Sequence, residues 1–133
     1  MKIEFVASAG AAEILTVLVH EGRTLAGTGP QLDNASSGAL TRAMNASRFT
    51  GASNSTLVIA APAGVEAATI VLSGAGEAGK FDDLALETAA AAAYQAVKLS
   101  GAGSLTIDAH HLTADQAARA AFGGRLAAYR FLK

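Results

Sequence analysis

The sequence predicts an α/β fold, a central mixed and mostly parallel sheet flanked by helices. Three observations carry that expectation. Near-continuous apolar runs rich in β-branched residues occur at Ile14-Leu15-Thr16-Val17-Leu18-Val19, Thr56-Leu57-Val58-Ile59-Ala60 and Thr69-Ile70-Val71-Leu72. Such runs suit strands covered on both faces, whereas a strand with one wet face alternates apolar with polar residues. An alanine block, Ala89 to Ala93, marks a helix able to lie close against a sheet. Strand-like and helix-like segments follow one another as β-β-α-β-β-α-β-α, the order of a layered α/β domain.

Taken in chain order, Ile3-Glu4-Phe5-Val6 alternates and suits a sheet edge, and the first long run follows at Ile14–Val19. The first helix is expected to begin at Ser36 or Ser37, either of which is a favourable N-cap, with Leu40 and Met44 one turn apart on one face. The runs at 56–60 and 69–72 come next. A second helix is expected from Asp82 or Asp83 towards Lys98, its alanines interrupted by the larger Leu84, Leu86, Tyr94 and Val97. Leu105-Thr106-Ile107 reads as a further strand. The last helix opens on the capping box Thr113-Ala114-Asp115-Gln116 and carries the stripe Phe122, Leu126 and Tyr129. Gly22, Gly27, Gly29-Pro30, Gly51, Pro62, Gly64, Gly101 and Gly103 punctuate these elements as turns.

A chain of 133 residues is the size of one domain, so residues 1–133 are expected to form a single unit. With 51% hydrophobic and 16% charged residues it can bury a core, unlike a disordered chain. Ten basic against eleven acidic residues leave a net charge of −1, which gives no general attraction to nucleic acid or an anionic membrane. Arg119, Arg125, Arg130 and Lys133 cluster near the C-terminus, where they suit a helix end. With no cysteine, disulfides, thiolate metal sites and cysteine nucleophiles are excluded. Ala7-Ser8-Ala9 imitates a signal-peptidase site, but the apolar run follows it instead of preceding it. No apolar run approaches bilayer-spanning length. A soluble, cytoplasmic protein is expected.

The segment that looks most like chemistry is Gly74-Ala75-Gly76-Glu77-Ala78-Gly79-Lys80-Phe81. It has the Gly-x-Gly-x-x-Gly spacing of a dinucleotide-binding turn and most of a phosphate-binding P-loop. Phe81 stands where the P-loop needs Ser or Thr for magnesium. Glu77, Asp82 and Asp83 surround the helix start on which a phosphate would sit, and would repel it. A glycine-rich turn between strand and helix is the better reading. Of the three histidines, His110 and His111 are neighbours in extended chain and point to opposite sides, which opposes joint chelation, and His20 stands apart. Ser36, Ser37, Ser53, Ser55, Ser73, Ser100 and Ser104 lie at expected helix starts and turns, and none sits in a Gly-x-Ser-x-Gly elbow. The residues themselves offer no catalytic, cofactor-binding or metal-binding set.

The landmarks nevertheless follow a family order. Lys2-Ile3-Glu4-Phe5, then His20-Glu21-Gly22, Ser37-Gly38-Ala39-Leu40, Phe49-Thr50-Gly51, Pro62-Ala63-Gly64, Gly74-Ala75-Gly76 and the closing Ala128-Tyr129-Arg130-Phe131 resemble the N-terminal domain of the leucyl (cytosol) aminopeptidase family. Each motif is weak alone; the likeness lies in their order and spacing over essentially the whole chain. The resemblance implies a fold similar to macro domains, next to a C-terminal domain that holds two divalent metals, zinc or manganese, and the catalytic lysine and arginine. The family signature Asn-Thr-Asp-Ala-Glu-Gly-Arg-Leu has no counterpart here, so no functional residue carries over. The resemblance further implies a cytoplasmic homo-hexamer in which this domain, non-catalytic itself, contacts its own catalytic domain and other subunits and aids assembly. Some bacterial relatives bind DNA, a partner to which the near-neutral charge lends no support. Gly123-Gly124 departs from a smooth last helix at a cost of roughly 1 kcal/mol per glycine. The alternative is a macro-like module holding a nucleotide or ADP-ribose at Gly74–Gly79.

Overall fold

The two most apolar runs form the centre of the sheet. The computed structural model describes residues 2–6, 14–27, 29–60, 64, 68–80, 83–98 and 104–108. Within it, β2 (Ile14–His20) and β5 (Thr69–Gly76) pair in parallel along their whole length. Their side chains alternate between two apolar layers, which is why neither run alternates in polarity. Ile14 and Leu18 of β2, with Val71 and Ala75 of β5, pack under α3 (Asp83–Val97). Leu15, Val17 and Val19, with Ile70 and Leu72, face the other way, towards Leu40, Met44 and Phe49. The helices at that second layer are α1 (Gly29–Ala35) and α2 (Ala39–Asn45).

The sheet order is β1-β6-β2-β5-β4, with the two-residue β3 (Thr24–Leu25) turned back antiparallel on the end of β2. β1 (Lys2–Val6) lies parallel to β6 (Ser104–Asp108), and β6 parallel to β2. Among the described strands only β4 (Thr56–Ala60), paired with β5, and β3 run antiparallel. A mixed, mostly parallel sheet between helices is therefore what forms, with β1 beside β6 alone among the described strands.

The alanine block does in α3 what small side chains allow. Ala89, Ala90 and Ala93 are fully buried against β2 and β5, and Tyr94 and Val97 close the layer below them. Such an approach brings the Ser73 hydroxyl within 2.7 Å of the Ala89 carbonyl, to which it donates. Leu84 remains outside this layer, 69% exposed.

Several expectations are corrected. Gly29-Pro30 is not a turn but the opening of α1, where proline's missing N–H costs nothing. The following helix starts at Ala39 after Gly38, and neither Ser36 nor Ser37 caps it. Ser36 is spent closing α1, its hydroxyl donating to the carbonyls of Leu32 and Asp33. The cap comes from further back: the Asp33 carboxylate accepts from the Thr41 N–H at 2.9 Å and the Thr41 hydroxyl at 2.6 Å. β4 is not covered on both faces either. It lies at the sheet edge, where Leu57 and Ile59 pack partly into the second layer while Val58 is 48% exposed. The expected last helix, with its capping box, its aromatic stripe and Gly123-Gly124, lies outside the described residues.

Candidate functional site

Open α/β sheets bind ligands in the crevice beyond the carboxyl ends of their parallel strands. In this chain that place is the end of β2 and β5, where His20 and the glycine-rich segment meet. Contrary to expectation, Gly74, Ala75 and Gly76 do not form a turn; they are the last three residues of β5, which makes Ser73 a strand residue as well. Beyond them come Glu77, a short 3-10 turn at Ala78–Lys80, and α3.

The strand extends because the chain segment 50–55 lies across it. The Gly74 N–H donates to the Ser55 carbonyl at 2.8 Å and the Gly76 N–H to the Gly51 carbonyl at 2.9 Å. On the same end, the Glu21 N–H donates to the Gly76 carbonyl and the Arg23 N–H to the Thr50 carbonyl. The glycines serve this close backbone approach. A Cβ on Gly74 would stand 1.8 Å from the Ala52 carbonyl oxygen, and one on Gly51 2.2 Å from that of His20. Gly51 also has φ +93°, a conformation side chains disfavour. A phosphate-binding loop must offer free N–H groups. Those of Gly74 and Gly76 are engaged with the protein's own carbonyls.

Around this end the ionisable groups are few. Glu77 and Lys80 form an exposed ion pair at 3.3 Å, which is worth little in water. The half-buried His20 has Nδ1 3.2 Å from the Gly76 carbonyl, so the tautomer protonated at Nδ1 donates there. That contact sits at the β-bulge where the register steps from Val19↔Gly74 to His20↔Gly76. His20 thus helps hold two strand ends together. His110 and His111 lie outside the described residues, as does Ser100. Among the described residues no three of His, Cys, Asp or Glu are grouped to hold a metal ion. Ser53 and Ser55 lie in the segment crossing the strand ends.

A surface groove of about 410 Å³ lies elsewhere, between the end of that segment, β4 and α3. It is lined by Asn54, Thr56, Ala91, Ala92, Gln95 and Ala96. Its size falls in the range of ligand pockets, but its lining holds no charge and no nucleophile–base pair. The sequence reading did not anticipate it, since it appears only when β4 and α3 come side by side. No helix among the described residues is long and apolar enough to cross a membrane.

Residues 16–133 match the family model for the N-terminal domain of the cytosol aminopeptidase family. A probable cytosol aminopeptidase of Caulobacter vibrioides is 50% identical over 136 residues, an alignment covering 100% of this chain and 27% of the relative. One from Azotobacter vinelandii is 37% identical over 84 residues, covering 63% of this chain and 17% of the relative. A tomato leucine aminopeptidase variant has the same fold, with a TM-score of 0.73 at 22% identity, across 96% of this chain and 28% of its own. The chain therefore spans about a quarter or less of the length of these proteins. It belongs to the cytosol aminopeptidase family and corresponds to that family's N-terminal domain.

Proposed function

We propose that residues 1–133 form a single non-catalytic domain of a cytoplasmic leucyl aminopeptidase, which serves assembly of the enzyme while the hydrolysis takes place elsewhere in the full-length protein. The observation that supports this reading most directly is the match itself: it covers 27% of the length of the Caulobacter relative and belongs to the N-terminal domain of the family. The construction of the sheet end agrees, because the Gly74 and Gly76 N–H groups at the strand ends are tied to the crossing segment 50–55.

The family is one of metallopeptidases, and two divalent metals, zinc or manganese, belong to the proposed catalytic domain. The described residues do not fit such a site, since they bring no cluster of carboxylates and histidines together. No step of peptide hydrolysis is assigned to this chain. Its proposed partners are its own catalytic domain and further subunits of a homo-hexamer, and neither membrane nor nucleic acid is among them.

The test is hydrolysis of a leucine chromogenic amide by the purified chain with manganese or zinc present. No turnover above the buffer rate is expected, because the described residues gather no site for the metal-activated water that attacks the amide. Metal-dependent turnover that copurifies with the chain and disappears with a chelator would overturn the proposal.

A further inference from the structure

We propose that β4 is a self-pairing edge, through which two copies of the chain join their sheets antiparallel about a two-fold axis at Val58. This specifies a surface for the assembly role proposed above and rests on that reading. The backbone decides which groups are available. In the antiparallel pair of β4 and β5, Ser55 and Gly74 are a bonded pair, because the Gly74 N–H donates to the Ser55 carbonyl. By alternation Leu57 and Leu72, and Ile59 and Ile70, are bonded pairs too. Thr56, Val58 and Ala60 therefore direct their N–H and C=O groups away from β5, and no other described strand lies on that side.

Natural sheet edges are usually blunted by charge, proline or a covering element. Thr56-Leu57-Val58-Ile59-Ala60 carries no charge and no proline, neither do Ser53, Asn54 and Ser55 before it, and no strand among the described residues covers this edge. The occupant that fits is a second copy. A two-fold axis at Val58 sets Val58 against Val58 and Thr56 against Ala60, so each outward residue meets an outward residue and forms a bonded pair. An uncharged strand meets its copy without like charges facing each other. On the α3 side, the two Val58 side chains, 48% exposed in one chain, cover one another. A polar or acidic partner would find no complement along this edge.

The contact is small. Two strands of five residues fall short of the roughly 1,200–2,000 Å² of a stable interface, so the isolated chain is expected to pair only at high concentration. The chain has no cysteine, which makes Val58→Cys a unique probe. Residues of a bonded antiparallel pair have Cα atoms about 5.5 Å apart, within the roughly 4.4–6.8 Å that a disulfide spans.

The experiment is sedimentation velocity over a concentration series of the unaltered chain and Val58→Lys, with oxidative cross-linking of Val58→Cys and of a control on exposed α1, Gln31→Cys. The expected result is reversible dimerisation of the unaltered chain. In Val58→Lys like charges stand directly opposite, so its dissociation constant should rise about tenfold or more with unchanged circular dichroism. Val58→Cys should cross-link well ahead of Gln31→Cys. If the unaltered chain and Val58→Lys associate equally and the two cysteines cross-link alike, the β4 contact is wrong while an assembly role stands. If the unaltered chain stays monomeric throughout and Val58→Cys gains nothing over the control, the contact is wrong and assembly by this domain alone falls with it.

Discussion

Thr16 sits at the middle of β2 with no solvent exposure, and its hydroxyl is the one buried side-chain polar atom without a hydrogen-bond partner among the described residues. Strand alternation puts it on the α3 face, on the same side as Ile14 and Leu18. Leaving such a group unsatisfied costs about 1–3 kcal/mol, and valine has the same shape without the hydroxyl. Thr16→Val is therefore expected to raise stability by about 1 kcal/mol, read as a higher urea midpoint at unchanged slope. A lower midpoint would mean that the hydroxyl finds a partner in solution. Ser73 shows the contrasting case. It is equally buried, on the neighbouring strand and the same face, but it donates to the Ala89 carbonyl and so ties α3 to β5.

Among the elements, α2 depends most on a distant residue. It is seven residues long, too short to be stable by propensity, and its first turn has no capping side chain of its own. Two things hold it: burial of Leu40 and Met44 under the sheet, and the Asp33 carboxylate received from α1. Asp33 replaces an N-cap side chain, so Asp33→Ala should cost about 0.5–2 kcal/mol. Chemical denaturation would measure this loss, and Asp33→Asn should recover part of it by keeping an acceptor oxygen. Equal stability of Asp33→Ala and the unaltered chain would show that burial alone holds α2 in place. In α3 the balance is different, because Ala89, Ala90, Ala93, Tyr94 and Val97 bury a continuous face along the second part of a fifteen-residue helix.

At the scale of the whole molecule, the sheet has the architecture of a ligand-binding α/β fold with the customary ligand position closed by its own chain. The crossing segment 50–55 takes up the N–H groups of Gly74 and Gly76. Titration calorimetry with ATP, NAD and ADP-ribose is accordingly expected to give no heat of binding. Micromolar affinity for any of them would require the 50–55 segment to leave the strand ends, and would restore the nucleotide-module reading. The same closure explains why glycine spacing misleads here. Gly74 and Gly51 are glycine because backbone passes within van der Waals reach of where a Cβ would be, a requirement that yields Gly-x-Gly as readily as a phosphate does.

Much of the architecture follows from local chemistry written in the residues. The near-continuous apolar runs at 14–19 and 69–72 suited strands covered on both faces, and they are; the alternation of Ile3-Glu4-Phe5-Val6 suited a sheet edge, where β1 lies among the described strands. Leu40 and Met44 announced one buried helical face, Asp83 and the alanines announced α3, and the order of short motifs carried the family. What the sequence left open depends on contacts between distant residues. Whether Thr56–Ala60 is central or an edge depends on which strand lies beyond it, and that strand is absent among the described residues. Whether Ser36 begins one helix or ends another depends on α1 being present to accept its hydroxyl, with Asp33 then free to cap α2. Whether Gly74-Ala75-Gly76 is loop or strand depends on residues 50–55 arriving to bond it. Periodicity and propensity act within a few residues along the chain, whereas edges, borrowed caps and closed strand ends exist only once the tertiary fold brings their partners together.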